Sequence, residues 1–249
     1  MVSSVSLDDR MNGGNAMDAK TILMWGDSAT GKSSLITAAL FDPQSRFPAI
    51  DMEQTGAAAN AVRLNEHWRD LREGRPGAPT AEDKIDIAIH RRDGVAVLLR
   101  DVRGGLVDQA ADAATLRTVR SAAVLLFVMD FQARDAVRQL RAIDGIWNIC
   151  SNVAKGLVFT KCELHLDYDH QAWNGELDWW QEFPELRIFG SHIERFGDAV
   201  FPTSVYGYHP RSMLPALTLG EFGEIRPFNI APRGVVRPFA WALEQIDAS

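Results

Sequence analysis

The sequence feature that most constrains the fold is a glycine-containing segment between a short apolar run and a helix-forming one. Residues 22–25 are apolar, residues 26–33 follow the spacing Gly-x-x-x-x-Gly-Lys-Ser, and residues 34–40 are good helix formers. Glycines at these two positions allow backbone conformations that a Cβ would forbid, so successive N–H groups can converge on phosphate oxygens. The helix that begins near Lys32 adds the positive end of its dipole. The segment therefore predicts a strand, a phosphate-binding loop and a helix, in that order.

The residue types after the second glycine predict how a nucleoside triphosphate would be held. Lys32 would reach the terminal phosphates as a mobile point charge, and the Ser33 hydroxyl would be one ligand of a magnesium ion that bridges two of them. The residues expected to contact the nucleotide here are Gly26, Asp27, Ser28, Ala29, Thr30, Gly31, Lys32, Ser33 and Ser34.

Two other interpretations of this segment remain open. The glycines could belong to an ordinary strand-to-helix turn. Alternatively, Gly26-Asp27-Ser28 resembles the nucleophile block of the Gly-Asp-Ser hydrolases, a family that needs an Asp-x-x-His near its C-terminus. Residues 167–170 have that spacing but lie far from the chain end in a polar stretch. We therefore favour the phosphate-binding loop.

Composition narrows the class of protein. The chain has 249 residues, a net charge of −7 and no basic tract, so we expect no nucleic-acid partner, because phosphate neutralisation needs a positive face. Two cysteines are too few for a disulfide framework and suit a reducing, cytoplasmic setting. Residues 1–19 are polar and predict a disordered lead-in, with no membrane-binding segment. Residues 20–249 are expected to form a single domain.

Apolar runs alternate with helix-forming segments through most of that domain. This alternation predicts an α/β fold, namely a three-layer, doubly wound, mostly parallel sheet. Strands are predicted at 84–90, 95–99, 122–129, 156–159 and 199–201, and helices at 51–73, 107–120, 186–196 and 237–246, with a further helix through Ala136, Leu140, Ile143 and Trp147. Insertions are expected at about 51–74 and 164–182, and a long surface connection at about 207–234.

The first insertion carries an apolar seam. Its members, spaced four, three, four and three residues apart, are Ala57, Ala61, Leu64, Trp68 and Leu71. Such a seam needs a surface to pack on. We expect this surface to be the sheet of the same domain, with a docking face for another protein as the alternative.

The second insertion contains His165, Asp167, Asp169 and His170 close together. A metal cluster is one interpretation of these residues. A solvated loop is favoured, because the two histidines do not have the i, i+4 spacing that would place them on one face of a helix. Three tryptophans in this region are expected to pack within an inserted helix, namely Trp173, Trp179 and Trp180.

Further polar residues follow buried strands. Asp101 comes at the end of the apolar run that starts at residue 95, and Gly104 follows it by three residues. The aspartate is expected to hold magnesium through water, and the Gly104 N–H to contact the γ-phosphate. The strand at 156–159 leads into Thr160-Lys161-Cys162-Glu163, and the strand at 199–201 leads towards Ser204 and Val205. All four motifs are therefore predicted at the carboxyl edge of the sheet, where such sheets bind ligands.

The order of these motifs resembles that of the P-loop small GTPases of the Ras-like class, over roughly residues 21–246. The resemblance implies that Lys161 packs on a guanine base, that the carboxylate of Glu163 accepts two guanine N–H donors, and that the backbone at Ser204 and Val205 meets the guanine oxygen. The family has an aspartate where this chain has Glu163. The longer side chain keeps the carboxylate but moves it by one methylene.

The same resemblance implies a threonine in the first switch loop as a second magnesium ligand. Thr80 is the matching position, with Thr55 as the alternative. Many family members have a glutamine that orients the attacking water where this chain has Gly105. We therefore expect slow intrinsic hydrolysis, assisted by a partner or by an arginine such as Arg75 or Arg103.

Three classes of function follow from these expectations. The leading class is a GTPase switch that binds GTP or GDP with Mg²⁺, uses Lys32, Thr80 and Gly104 in catalysis, holds the metal through Ser33, Thr80 and Asp101, and acts on a protein effector or activator. A nucleotide-binding interaction module without turnover is the second, and an ATP-using P-loop kinase is the third. The Pro-rich segment at 74–80 and the closing helix after a Pro-Arg-Gly loop look like the bacterial double-GTPase group associated with conflict systems.

Overall fold

A computed structural model of the chain describes residues 20–27, 30–42, 59–73, 84–91, 96–102, 113–131, 136–187, 189–209, 211–219, 225–227 and 230–249. The strands are β1 (Thr21–Trp25), β2 (Lys84–His90), β3 (Ala96–Val102), β4 (Val124–Asp130), β5 (Ala154–Thr160), β6 (Val200–Pro202), β7 (Leu217–Leu219) and β8 (Ile225–Pro227). The helices are α1 (Lys32–Phe41), α2 (Ala59–Arg72), α3 (Ala113–Arg120), α4 (Ala136–Ile149), α5 (Pro184–Arg187), α6 (Gly190–Ile193) and α7 (Arg237–Ala248).

Six strands form one sheet in the order β2-β3-β1-β4-β5-β6. β2 runs antiparallel to β3, whereas the other neighbouring strands are parallel. This arrangement confirms the expected mixed α/β architecture with a mostly parallel sheet. β1 lies between β3 and β4, so the connections after β1 lead to both sides of the sheet. In open α/β sheets, the carboxyl end of a strand at such a reversal opens into a crevice.

Helices cover both faces of the sheet. On one face, α1, α2 and α7 bury side chains such as Leu35, Leu64 and Phe239 in one apolar cluster. On the other face, α3 and α4 bury Val119 and Ile143 in a second cluster. The sheet is therefore the middle layer of three. Among the described residues, no helix has the length and apolar character needed to cross a membrane.

The described part of the first insertion packs on its own domain. Leu64, Trp68 and Leu71 retain at most 5% of their exposure and join the cluster beneath α1. This contact confirms the favoured interpretation of the seam for the described residues. Ala57 lies outside them.

The prediction of one continuous helix at 186–196 is wrong. The segment consists of α5, α6 and a 3-10 turn at Glu194–Phe196. Phe189, with φ −105° and ψ 10°, leaves the helical path just before Gly190. Tertiary burial of Leu186, Ile193 and Phe196 overrides the local helix preference.

The second insertion also differs from its prediction. It forms 3-10 turns at Cys162–Leu164, Gln171–Asn174 and Trp179–Glu182 rather than an inserted helix. The three tryptophans are buried at 6% exposure or less, so the prediction that they pack is confirmed. The solvated-loop interpretation describes Asp167 and Asp169, which are exposed, but not Leu166, which is buried.

The described part of the connection predicted at 207–234 contains regular structure that the sequence did not predict. β7 and β8 pair as an antiparallel ladder, and Gly207 and Ser204 form isolated bridges with residues near the start of α7. Tyr208 and Ala216 are buried. The prolines misled the prediction because proline is tolerated at the ends and edges of strands, and Pro227 is the last residue of β8.

Candidate functional site

The predicted phosphate-binding loop joins the central strand to α1. A Cβ on Gly26 would stand 2.3 Å from the carbonyl oxygen of Val128, and Gly31 has φ 84°, a left-handed conformation at the start of α1. Both positions therefore require glycine. The first helical bond runs from the Leu35 N–H to the Gly31 oxygen at 2.8 Å, so the preceding N–H groups point out of the helix N-terminus. Ser28 and Ala29 lie outside the described residues.

Lys32 lies across this loop. Its Nζ donates to the carbonyl oxygens of Gly26 at 3.0 Å and Asp27 at 2.9 Å, and the residue is 7% exposed. The Thr30 hydroxyl donates to the same Asp27 oxygen at 2.9 Å. The loop therefore holds a buried ammonium group at the N-terminus of a helix, two features that favour an anion.

Asp101 lies beside the start of α1 because Met24 of β1 pairs with it in the sheet. Its Oδ2 accepts a hydrogen bond of 2.6 Å from the Ser33 hydroxyl. The residue is 3% exposed, and its buried Oδ1 has no hydrogen-bond partner among the residues that the structure describes. An unsatisfied buried carboxylate oxygen is costly, and a hydrated cation next to Ser33 would satisfy it. The donor set thus fits Mg²⁺, which binds one or two protein oxygens and keeps several waters.

Burial acts in opposite directions on the two charged groups of this region. It raises the pKa of Asp101, while the charge of Lys32 and the hydrogen bond from Ser33 oppose the rise. It lowers the pKa of Lys32, while the charge of Asp101 opposes the fall. Each group therefore stabilises the charged form of the other. We call this region, residues 26–33 with Asp101, the loop end.

The carboxyl end of β5 contacts the loop end directly. The Thr160 hydroxyl donates to the Thr30 oxygen at 2.7 Å. Lys161 follows with φ 60° and forms an ion pair with Asp130, the last residue of β4. The β4–β5 pairing sets this contact, because Asp130 and Thr160 are partners in register. We call residues 160–163, with Ser204 and Val205, the β5 end.

Glu163 is the buried acid of the β5 end. It is 2% exposed, and Ser204 donates a side-chain hydrogen bond to it. Within the described part of the chain, its Oε2 has no hydrogen-bond partner. Burial raises its pKa to about 7, and the Ser204 hydrogen bond opposes that rise. Ser204 is itself held because its Oγ accepts the Gly207 N–H at 2.7 Å. Val205 is buried at 7% exposure.

These contacts connect many of the predicted site residues along one sheet edge. Ser33 links the loop to Asp101, and Thr160 links it to β5. The predicted residues that fall outside the described part of the chain are Ser28, Ala29, Thr55, Arg75, Thr80, Arg103, Gly104 and Gly105.

Sequence reasoning missed two residues of this region. Asp130, the ion-pair partner of Lys161, directly follows an apolar run just as Asp101 does, and that position was a usable signal. His67 of α2 lies with its Nε2 3.1 Å from the Ser34 Oγ. Its only signal was its place on the seam, three residues after Leu64.

The two histidine side chains of the second insertion contact residues of that insertion and Phe131, the residue after β4. The Nδ1 of His170 accepts the Ala172 N–H at 3.1 Å, and its Nε2 lies 3.3 Å from a Glu182 oxygen. The ring of His165 stacks on Phe131 at 4.2 Å. In the part of the chain that the structure describes, no group of three or more His, Cys, Asp or Glu side chains could hold a metal ion.

No protein-family model matches this chain, and no curated protein matches it either. Its function is therefore inferred from the geometry of the site.

Proposed function

We propose that this chain is a P-loop, Ras-like nucleotide-binding protein that binds GTP and GDP with Mg²⁺, hydrolyses GTP slowly and acts as a molecular switch. The observation that carries the proposal is the contact between Ser33 and Asp101. It joins the predicted phosphate-binding loop to a buried carboxylate 68 residues away, whose other oxygen has no hydrogen-bond partner among the described residues.

The fold supports this proposal by placing the loop at the centre of the sheet. The loop follows β1, where the strand order reverses, and the other motifs follow β3, β5 and β6 along the same edge. A ligand that extends from the loop end to the β5 end would span about two strand spacings, or roughly 10 Å. A nucleotide is long enough to place its phosphates at one end and its base at the other.

At the loop end, the chain supplies positioning and charge. The bound Mg²⁺ would supply a positive charge that stabilises the phosphate oxygens during transfer. Ser33 would give it a direct oxygen ligand and Asp101 would hold its waters, while Lys32 would exchange its two carbonyl acceptors for phosphate oxygens. The N–H groups at the start of α1 would complete the anion site.

At the β5 end, the chain supplies hydrogen-bond acceptors for a base. The unpartnered Oε2 of Glu163 is the acceptor that a guanine N–H would meet, and the hydrogen bond from Ser204 fixes the carboxylate. Lys161 is oriented by Asp130, so its aliphatic stem can cover a ring. The longer Glu163 side chain is thus buried at this end of the sheet.

A second candidate function is a nucleotide-binding interaction module without turnover. The burial of Glu163 favours it, because a base acid that is half protonated near neutral pH binds guanine less well than an ordinary carboxylate. In either case we propose a protein effector or activator as the partner. Both cysteines are free and buried, which suits the cytoplasm as the proposed compartment.

The decisive experiment is calorimetric binding of GTP, GDP and ATP, each with Mg²⁺, to the parent protein and to Lys32→Ala. We expect guanine-selective binding that weakens about 10- to 150-fold in Lys32→Ala, because a buried charge-assisted contact is lost. Lys155→Ala is the matched control, since Lys155 is also partly buried but lies at the amino end of β5.

The outcomes separate the candidates. Phosphate release from bound GTP supports the GTPase, and tight binding without release supports the interaction module. Preference for ATP would overturn the guanine assignment. Absence of binding by the parent would overturn the proposal as a whole.

A further inference from the structure

The contact between His67 and Ser34 joins the inserted helix to the N-terminus of α1. The His67 Nε2 lies 3.1 Å from the Ser34 Oγ, and this is a polar contact in an otherwise apolar seam. Leu64, Trp68 and Leu71 of α2 are buried around it. The packing of α2 therefore places the His67 imidazole beside the Ser34 hydroxyl at the start of α1.

Ser34 occupies a position that matters for anion binding. It is the third residue of α1, directly before Leu35, whose N–H makes the first helical bond. A phosphate at this N-terminus would lie against the backbone of residues 32–34, and the Ser34 hydroxyl stands in the same turn. His67 is thus one side chain removed from the proposed phosphate position.

The surroundings of His67 determine which hydrogen bond it makes. Burial lowers its pKa, and the charge of Asp70 on the next turn of α2 opposes the fall. Ser34 faces it from α1, and β2 contributes the apolar side chains Ile87 and Ile89 to the cluster in which α2 packs. In its neutral form the imidazole has one N–H and one lone pair, so Nε2 either accepts from the Ser34 hydroxyl or donates to it.

A bound phosphate would select between these two arrangements. Phosphate oxygens only accept hydrogen bonds at neutral pH, so the Ser34 hydroxyl would donate to the phosphate and could no longer donate to His67. The imidazole would then donate from Nε2 to the Ser34 oxygen. This requires a proton on Nε2. If that nitrogen does not already carry one, it takes a proton from solvent, and the ring either releases its Nδ1 proton to solvent and stays neutral or keeps it and becomes an imidazolium, which the phosphate charge favours.

We propose that His67 is a positioning residue for the phosphate group nearest Ser34, and that through Ser34 it couples α2 to nucleotide binding. This inference rests on the proposed nucleotide site. It makes α2 a part of the site that responds to the ligand, beyond its packing role.

The test compares two His67 variants in the full chain, with GDP·Mg²⁺ and pyrophosphate·Mg²⁺ as probes. His67→Gln keeps a side-chain N–H that can donate to Ser34, whereas His67→Leu does not. We expect His67→Leu to weaken binding of both probes about three- to tenfold, and His67→Gln to stay within about twofold of the parent. Glu66→Gln, at an exposed position on the same helix, is the control and should bind as the parent does.

A second measurement distinguishes positioning from packing. Nitrogen-15 NMR of labelled histidine reports which ring nitrogen carries the proton. With GDP·Mg²⁺ bound, we expect His67 of the parent to carry a proton on Nε2, whichever tautomer the unbound protein has, and we expect His67 of Ser34→Ala to keep the tautomer of its unbound form. A role limited to helix packing would not produce this response.

The results separate failure of the inference from failure of the proposed function. If the parent binds GDP but His67→Leu binds equally well, or if His67 of the GDP-bound parent carries no proton on Nε2, the inference alone is overturned. If the parent binds neither probe, the proposed function falls and the inference falls with it. If His67→Leu does not fold, the NMR result on the parent and the affinity of His67→Gln decide.

Discussion

The loop end and the β5 end each bury a carboxylate, but they compensate its charge differently. At the loop end, Asp101 shares its surroundings with the ammonium group of Lys32, and each supports the charged form of the other. At the β5 end, the main support for the charge of Glu163 is a hydrogen bond from the neutral Ser204 hydroxyl.

Lys161 ranks lower among the effects that support ionised Glu163 than Lys32 does among those that support ionised Asp101. Lys161 pairs with Asp130, and its charge ranks behind hydrogen bonding among the effects that support ionised Glu163. The loop end therefore holds two buried groups of opposite charge, each of which stabilises the charged form of the other. The β5 end is built around an acid whose charge changes near neutral pH.

The largest expected effect is on stability and comes from Glu163. Its pKa in the folded protein, about 7, lies above its ordinary value of 4.5. Between these values the folded state binds more protons than the unfolded state, so the free energy of unfolding falls as pH rises from about 4.5 to 7. The accumulated loss is about 3 kcal/mol, and chemical denaturation of the parent and of Glu163→Gln at pH 5 and pH 8 measures it.

Glu163→Gln should therefore be more stable than the parent at pH 8 and closer to it at pH 5. Asp167→Asn, at an exposed carboxylate of the same region, is the control and should follow the parent at both values. Parallel pH profiles for the parent and Glu163→Gln would contradict a buried acid with a raised pKa.

The next largest effect concerns the loop end and its proposed metal. Asp101→Asn keeps a side-chain oxygen beside Ser33 but removes the negative charge that would hold the waters of Mg²⁺ and that supports ionised Lys32. We expect GDP affinity in Mg²⁺ to fall about 10- to 100-fold. Calorimetry with Mg²⁺ and with a chelator provides the measurement.

If Asp101 holds the metal, GDP affinity in Asp101→Asn should no longer differ between buffer with Mg²⁺ and buffer with a chelator. In the parent, removal of Mg²⁺ should weaken GDP binding, whereas in Asp101→Asn it should change little. A variant that retains the full Mg²⁺ dependence would show that Asp101 does not hold the metal.

The two ends also differ in how far the sequence alone could describe them. The loop end depends on local spacing and on one strand end, so the spacing of Gly31 and Lys32 and the apolar run before Asp101 are enough to predict where these residues lie in the fold. The β5 end depends on tertiary packing. Burial of Glu163 and its contact with Ser204 arise where turns after β5 and β6 meet, and no periodic pattern encodes that meeting.

The same distinction explains the errors in the fold. The core strands and the closing helix follow from apolar periodicity, and α7 buries Phe239, Leu243 and Ile246 as its stripe predicts. The short turns from α5 to β6 are held by long-range packing in the core, whereas β7 and β8 pair with each other across a short connection. Their residues have weak or misleading local preferences, as Gly190 and Pro227 illustrate.

A smaller effect tests whether Glu163 binds a guanine base only when its carboxyl group is ionised. Two guanine N–H donors require the carboxylate form of Glu163, and with a pKa of about 7 that form falls from about nine-tenths at pH 8 to about one-tenth at pH 6. The ratio of GDP affinity to pyrophosphate affinity should therefore fall about tenfold over this range. Pyrophosphate, which has no base, is the internal control, and a constant ratio would contradict base recognition by Glu163.

The smallest effect asks whether the two ends are coupled through Thr160. Its hydroxyl donates to Thr30 in the loop, so Thr160→Val should cost about 1 kcal/mol of stability and should also loosen the loop, weakening GDP binding about two- to threefold. Thr203→Val is the matched control, because its equally buried hydroxyl donates to Phe159 at 2.8 Å and not to the loop. Both variants should lose similar stability in denaturant titrations, but only Thr160→Val should lose affinity. Equal affinities for the two variants would mean that the loop end and the β5 end bind their parts of the ligand independently.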